Sequence, residues 1–141
     1  MLMRAAGVAL VLVLSACNSV TPVPLRGGEV CYRCRRLILD TRVAAQTVGT
    51  LATNFKTAGC LAKYLAVHPE ETNEAFVTDY ESGKLIRASS ATFVPTVDPA
   101  SGERDVVAYR SEAAAAATVR QGSTLTWDEV LEQARGAGSA N

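Results

Sequence analysis

The chain alternates short apolar runs with polar breaks, and its longest apolar run comes first. Residues 5–14 carry no polar side chain and a single glycine, behind the lone positive charge of Arg4. That run is too short to cross a bilayer as a helix, which needs about 20 residues. A short basic start, a short apolar core and small residues after it describe an export signal. Leu14-Ser15-Ala16-Cys17 then has the pattern of a lipobox. It predicts cleavage before Cys17, with residues 1–16 as signal peptide and the Cys17 thiol as acyl acceptor. Asn18 follows rather than Asp, so nothing directs retention in an inner membrane. The expected location is extracytoplasmic, lipid-anchored on the periplasmic face of the outer membrane in a diderm cell.

Beyond the signal, residues 17–28 hold Pro22, Pro24 and a glycine pair with little periodicity, and read as a flexible lipidated tether. The domain is expected over residues 29–135, and the small residues 136–141 as a frayed tail. Residues 37–39 form a short apolar run suited to a strand, and residues 43–48 a second. Residues 53–55 read as extended and lead to Thr57, an N-cap for a helix over 58–67 with Leu61, Tyr64 and Leu65 at helical spacing. Pro69 disfavours helix at His68 and ends it. Residues 74–80 and 84–88 flank Ser82-Gly83 as a hairpin. Residues 91–97 look extended, with Pro95 suited to an edge or bulge, and residues 105–109 form another strand. Ser111 caps an alanine-rich helix ending near Gly122, and Thr126 caps a last helix over 127–134. The order predicts an α+β fold, a small two-layer sandwich of antiparallel strands with helices on one face. The repeated order of strand, hydroxyl cap and helix suggests two similar ββα halves.

Charge narrows the partners. The whole chain is neutral, with 14 basic and 14 acidic residues. Loss of Arg4 with the signal leaves 13 basic against 14 acidic residues, a net charge of −1. That balance gives no electrostatic footprint for nucleic acid and no polybasic patch for a membrane surface, so the lipid alone would hold the chain there. Both methionines, Met1 and Met3, leave with the signal. No hydrolytic triad, phosphate loop or paired-carboxylate site is legible, and an enzyme is not expected.

The chemistry lies in the cysteines. With Cys17 acylated, three thiols remain: Cys31, Cys34 and Cys60. Cys31-Tyr-Arg-Cys34 is a CxxC, a spacing that turns two sulfurs to one side for a metal or a disulfide, although no second CxxC completes a zinc ribbon. Redox CxxC motifs open a helix, whereas this one precedes a strand. Cys60 falls in the first turn of the Thr57 helix, where the helix dipole would favour its thiolate, as Arg33, Arg35 and Arg36 would favour thiolates in the CxxC. Three thiols cannot all pair. The choices are a Cys31–Cys34 disulfide with a buried Cys60, or a soft metal held by two or three thiolates. The metal option requires Cys60 to lie beside the CxxC. His68, the sole histidine, is about 12 Å of helical rise from Cys60, too far to share its ion. Its expected role is at the helix C-terminus.

The run CYRCRRLILDTRVAAQ from Cys31 to Gln46 resembles the opening of the NosL family, copper-binding lipoproteins that assist nitrous oxide reductase assembly. Phe55 with Gly59-Cys60-Leu61, the Asp79-Tyr80 hairpin, the 91–94 stretch, the alanine helix and Trp127-Asp128-Glu129 follow in the family's order. The resemblance implies a copper chaperone whose Cu(I) is held by Cys31, Cys34 and Cys60. It also implies a receiving partner, nitrous oxide reductase or its assembly transporter. Two departures stand out. The family's Gly-Met after CxxC is here Arg35-Arg36, and its Pro-Met-Gly segment is here residues 95–102 without methionine. Thioethers suit Cu(I), and the mature chain has none. Tyr32, Asp79 and Tyr80 are further candidate neighbours, though they read more readily as strand and surface residues. Two other readings stay open: a thiol–disulfide oxidoreductase acting through Cys31–Cys34, and a fold that has lost its metal site and serves as an interaction surface.

Overall fold

In the computed structural model, which describes residues 19–138, the chain forms two antiparallel sheets and three helices. The export signal and lipobox, with Cys17, lie outside the described residues. Strands β1 (Ala45–Val48) and β2 (Ala52–Phe55) lead into α1 (Ala58–Val67). The hairpin β3 (Glu74–Thr78) and β4 (Leu85–Arg87) follows, then β5 (Thr92–Val97), β6 (Arg104–Tyr109), α2 (Glu112–Thr118) and α3 (Trp127–Gly138). The larger sheet runs β2-β1-β3-β4, and the smaller one is β5-β6. The expected α+β class and the echo of two ββα units are both present. The halves are unequal, because β3 and β4 extend only the first sheet.

Local chemistry fixes several elements. Thr57 is extended, and its Oγ1 accepts the Cys60 amide at 3.0 Å, which starts α1 as expected. Gly83, at φ +71°, turns the β3–β4 hairpin. Strand β1 lies between two neighbours and is buried along its whole length, so it shows no alternation. The core gathers Ile38, Phe55, Leu61, Val77, Phe93 and Trp127, with the Phe93 and Trp127 rings 5.4 Å apart.

Four expectations need adjusting. Residues 37–39 form no strand: Leu37 makes one bridge to Val30, Ile38 enters the core, and Leu39 faces solvent. The alanine helix stops at Thr118 rather than near Gly122, where Val119 turns extended. The last helix runs past residue 134 to Gly138. The tether is docked as well. The side-chain amide of Gln46, fully buried, pairs with the backbone of Val23 in both directions, at 2.9 and 3.0 Å, as a strand neighbour would. Burying that amide requires partners for all its polar atoms, and Val23 supplies them.

One contact ties the second sheet to α1. The carboxylate of Asp105 on β6 accepts the Gly59 amide at 3.1 Å and the Val106 amide at 2.8 Å, and the Thr57 hydroxyl bonds to it as well. A Cβ on Gly59 would run into this carboxylate and stand 3.2 Å from the Asp105 Cα. Helix propensity alone favours Gly59→Ala by about 1 kcal/mol. Overpacking of a held group costs about 1–3 kcal/mol, so the clash decides the sign. Gly59→Ala is expected to lower the urea midpoint by a net loss of that order, and a raised midpoint would contradict the contact.

Candidate metal centre

The CxxC lies at the tip of a small hairpin built without a regular strand. Gly28 donates to the Ile38 carbonyl at 2.9 Å, Ile38 to Glu29 at 2.7 Å, and Cys31 to Arg36 at 2.9 Å. The tip closes where the Arg35 amide donates to the Cys31 carbonyl at 3.0 Å. Arg35 takes φ 62°, a left-handed conformation that favours glycine. The hairpin is pinned to β2 through Asn54, whose carbonyl accepts the Tyr32 amide at 2.9 Å. The Asn54 side chain donates to Glu29 at 2.7 Å and accepts from Gln46 at 2.7 Å.

This arrangement turns Cys31 fully inward and leaves Cys34 partly exposed. From the other side, the capped first turn of α1 delivers Cys60. The three sulfurs lie within 4.8 Å of one another, and all three cysteines are free thiols. The approach of Cys60 to the CxxC that a shared site requires is therefore present. Metal–sulfur bonds of about 2.3 Å would hold three sulfurs roughly 4 Å apart around one ion, so the cluster needs little contraction.

Charge is distributed unevenly over the trio. The Cys31 thiol is pulled down to about 4, chiefly by a hydrogen bond from the Cys60 thiol. Burial opposes this, while the amides of Cys34 and Lys56 and the Cys34 thiol assist. Cys60 moves the other way. Its bond to Cys31, its burial and the nearby sulfur charge all push it up. This corrects the expectation of a thiolate at Cys60: the dipole of α1 is outweighed by a thiolate already at Cys31. Nor do the arginines set the Cys31 thiolate, which rests on amide and thiol donors. Arg36 instead approaches Asp98 at 3.7 Å, and Arg35 lies over the Tyr32 ring at 5.4 Å.

Asp98, in the β5–β6 turn, also bonds Lys56 at 3.3 Å. The Ala100 amide holds its carboxyl below the usual range against a burial penalty, with help from the Ser101 hydroxyl and Lys56. Thus the β5–β6 turn presents a carboxylate to Arg36. Beside the sulfurs, Tyr32, Phe55 and Tyr64 form an edge-packed cluster with centroids 5.1–6.2 Å apart. The other candidates lie elsewhere. Asp79 is bound into the β3–β4 turn by Ser82 and accepts the Arg110 amide at 2.9 Å. Tyr80 packs near Tyr109 and Arg42. His68 caps α1, stacks near Tyr64 and meets Glu70 at 3.0 Å.

The described residues define a small α+β domain that gathers three thiols where a hairpin tip meets a helix N-terminus. Its fold is similar to that in the crystal structure of the copper chaperone NosL from Shewanella denitrificans. The two are 21% identical, with a TM-score of 0.65, covering 79% of this chain and 96% of that one. At this identity the likeness is one of fold. No family model and no curated protein sequence matches the chain.

The thiols give a titration to measure. In the reduced, metal-free protein, ultraviolet thiolate absorption at neutral pH is expected from Cys31, disappearing on acidification through about pH 4. Cys60→Ala removes the main donor to that thiolate, so the step moves to higher pH. An unmoved step would mean that the Cys60 thiol does not hold the charge.

Proposed function

We propose that this chain is a lipid-anchored, extracytoplasmic copper chaperone that carries Cu(I) on Cys31, Cys34 and Cys60. The observation that carries the reading is the sulfur trio within 4.8 Å at the start of α1. Soft thiolates select a soft ion, and Cu(I) accepts two- or three-coordination. Cys31 offers a ready thiolate, and the ion displaces the proton that Cys60 holds. Cys34, partly exposed, is the flank from which an acceptor's ligand can enter and take the ion. The fold shared with a copper chaperone supports the reading. Nitrous oxide reductase or its assembly transporter is the proposed receiver, and the proposed anchor is lipid on Cys17.

Thiol–disulfide exchange fits the geometry less well. The attacking sulfur in such catalysts is an exposed thiolate, whereas here the low-pKa sulfur is Cys31, with no exposed surface.

Anaerobic loading of the reduced mature protein against a chromogenic chelator is expected to give one Cu(I) per chain. Replacing Cys31, Cys34 or Cys60 singly by Ser should cost more than the roughly 10–100-fold typical of losing an outer-shell partner. Unchanged affinity in all three variants would reject the site. For the anchor, labelling of cells with radioactive palmitate is expected to mark the protein and to fail in Cys17→Ser. Label retained in that variant would remove Cys17 as the acceptor.

A further inference from the structure

The hairpin that carries the CxxC has two faces of opposite character. Cys31 and Ile38 point inward with no exposed surface. Val30 and Leu37 stand opposite each other on the other face and are each 51% exposed, and Leu39, two residues on, is 78% exposed. Side chains alternate across such a ribbon, which puts these three aliphatic groups on one outer surface. At its tip Arg33 and Arg35 are exposed, and Arg36 keeps 47% of its side chain exposed beside Asp98.

The neutral whole-chain charge conceals a local excess. Residues 19–39 contain four arginines, Arg26, Arg33, Arg35 and Arg36, against one acid, Glu29. That acid's carboxylate is engaged by Asn54. Exposed aliphatic groups rimmed by arginine are the pattern of a surface that settles into the headgroup region of an anionic bilayer. The apolar groups enter the interface there, and the guanidinium groups meet phosphates. Three aliphatic side chains are also too few for the roughly 800 Å² per partner of a stable protein interface.

The position of the chain's start agrees. Val23 and Glu29 are bound to the two ends of the Gln46–Asn54 pair, so the chain enters the domain beside this hairpin. Only five residues lie between Cys17 and Val23, a reach of about 20 Å at full extension. This last point rests on the anchoring proposed above, whereas the test below does not.

We infer that the outer face of the CxxC hairpin, formed by Val30, Leu37 and Leu39 with Arg33, Arg35 and Arg36 at its tip, rests on a bilayer surface bearing anionic headgroups. Asp98 offsets Arg36 and Glu103 lies within the field of Arg33, so Arg35 and the outward part of Arg33 carry most of the charge that this face offers a bilayer. The cysteine cluster then opens at the membrane surface, so an acceptor that draws on it meets it there.

The test uses unlipidated, metal-free protein starting at Asn18, whose residues make every fold contact described above, with thermal unfolding as a check on each variant. It is mixed with phosphatidylcholine vesicles with or without phosphatidylglycerol, and the bound fraction is measured by sedimentation. Binding is expected only to the anionic vesicles, and should weaken in high salt. Arg33→Gln with Arg35→Gln is expected to lower the partition coefficient about fivefold per arginine. Leu37→Gln with Leu39→Gln is expected to lower it further. Leu51→Gln, in the β1–β2 turn and 78% exposed, should change nothing. Absence of binding to anionic vesicles would overturn the inference, as would binding that ignores the hairpin substitutions. If vesicle binding is absent while the arginine variants slow transfer of Cu(I) to an acceptor protein, the surface belongs to an acidic protein instead, and the membrane inference fails.

Discussion

A buried carboxylate held against the amide end of a helix organises this molecule. Asp105 belongs to β6, in the smaller sheet, yet its oxygen is bound to the first turn of α1, 46 residues earlier in the chain. Burial raises its pKa, so the charged form has to be held by donors, and the amides of Val106 and Gly59 and the Thr57 hydroxyl supply them. The contact requires close approach, which is why glycine precedes the cysteine at this point. The same turn carries Cys60, held by the Thr57 cap. The contact that holds the second sheet against α1 thus also fixes the third sulfur, and a shift of that sheet would be felt at the cysteine cluster.

The sulfurs show how far neighbouring donors can override a general rule. A cysteine in the first turn of a helix is expected to ionise readily. At Cys60 that field is present, but the nearest sulfur is Cys31, buried and supplied with two amide donors. Cys60 lends its proton to that thiolate and becomes the harder of the two to ionise. The charge sits deepest in the fold, and the partly exposed Cys34 lies at the edge. The most accessible sulfur and the most readily ionised one are therefore different residues.

Much of the fold could be read in the sequence because its signals are local. Thr57 and Pro69 bracket α1 residue for residue, and the Ser82-Gly83 turn marks the β3–β4 hairpin. The Thr57 cap put Cys60 in the first turn of a helix, but where that turn points could not be read locally, so the grouping of the three cysteines came only as what the NosL resemblance implies and the metal option requires. What escaped was long-range and polar. Gln46 reads as an ordinary strand residue, yet it closes an amide pair with Val23 across 23 residues and docks a segment whose composition suggests a loose tether. Asp98 reads as loop and Asp105 as the start of a strand. Their roles depend on which sheet packs beside which helix, and periodicity carries no information about that. Residues 37–39 misled for a different reason. Their apolar run has one residue in the core and two on a surface, a division that only the hairpin's facing reveals.

The charge balance of a site without thioethers follows from the same physics. A thioether ligand is neutral, so a Cu(I) site that uses thioethers needs few thiolates and accumulates little charge. A site made only of thiolates carries up to three negative charges against one on the ion, and a partly buried cluster cannot leave that excess to bulk water. Arg36 on the hairpin and Asp98 in the β5–β6 turn approach at 3.7 Å. Lys56 joins the same carboxylate while its backbone amide serves the Cys31 sulfur. The ion pair ties the β5–β6 turn to the hairpin. Replacing Asp98 would remove the carboxylate through which Arg36 and Lys56 hold this turn.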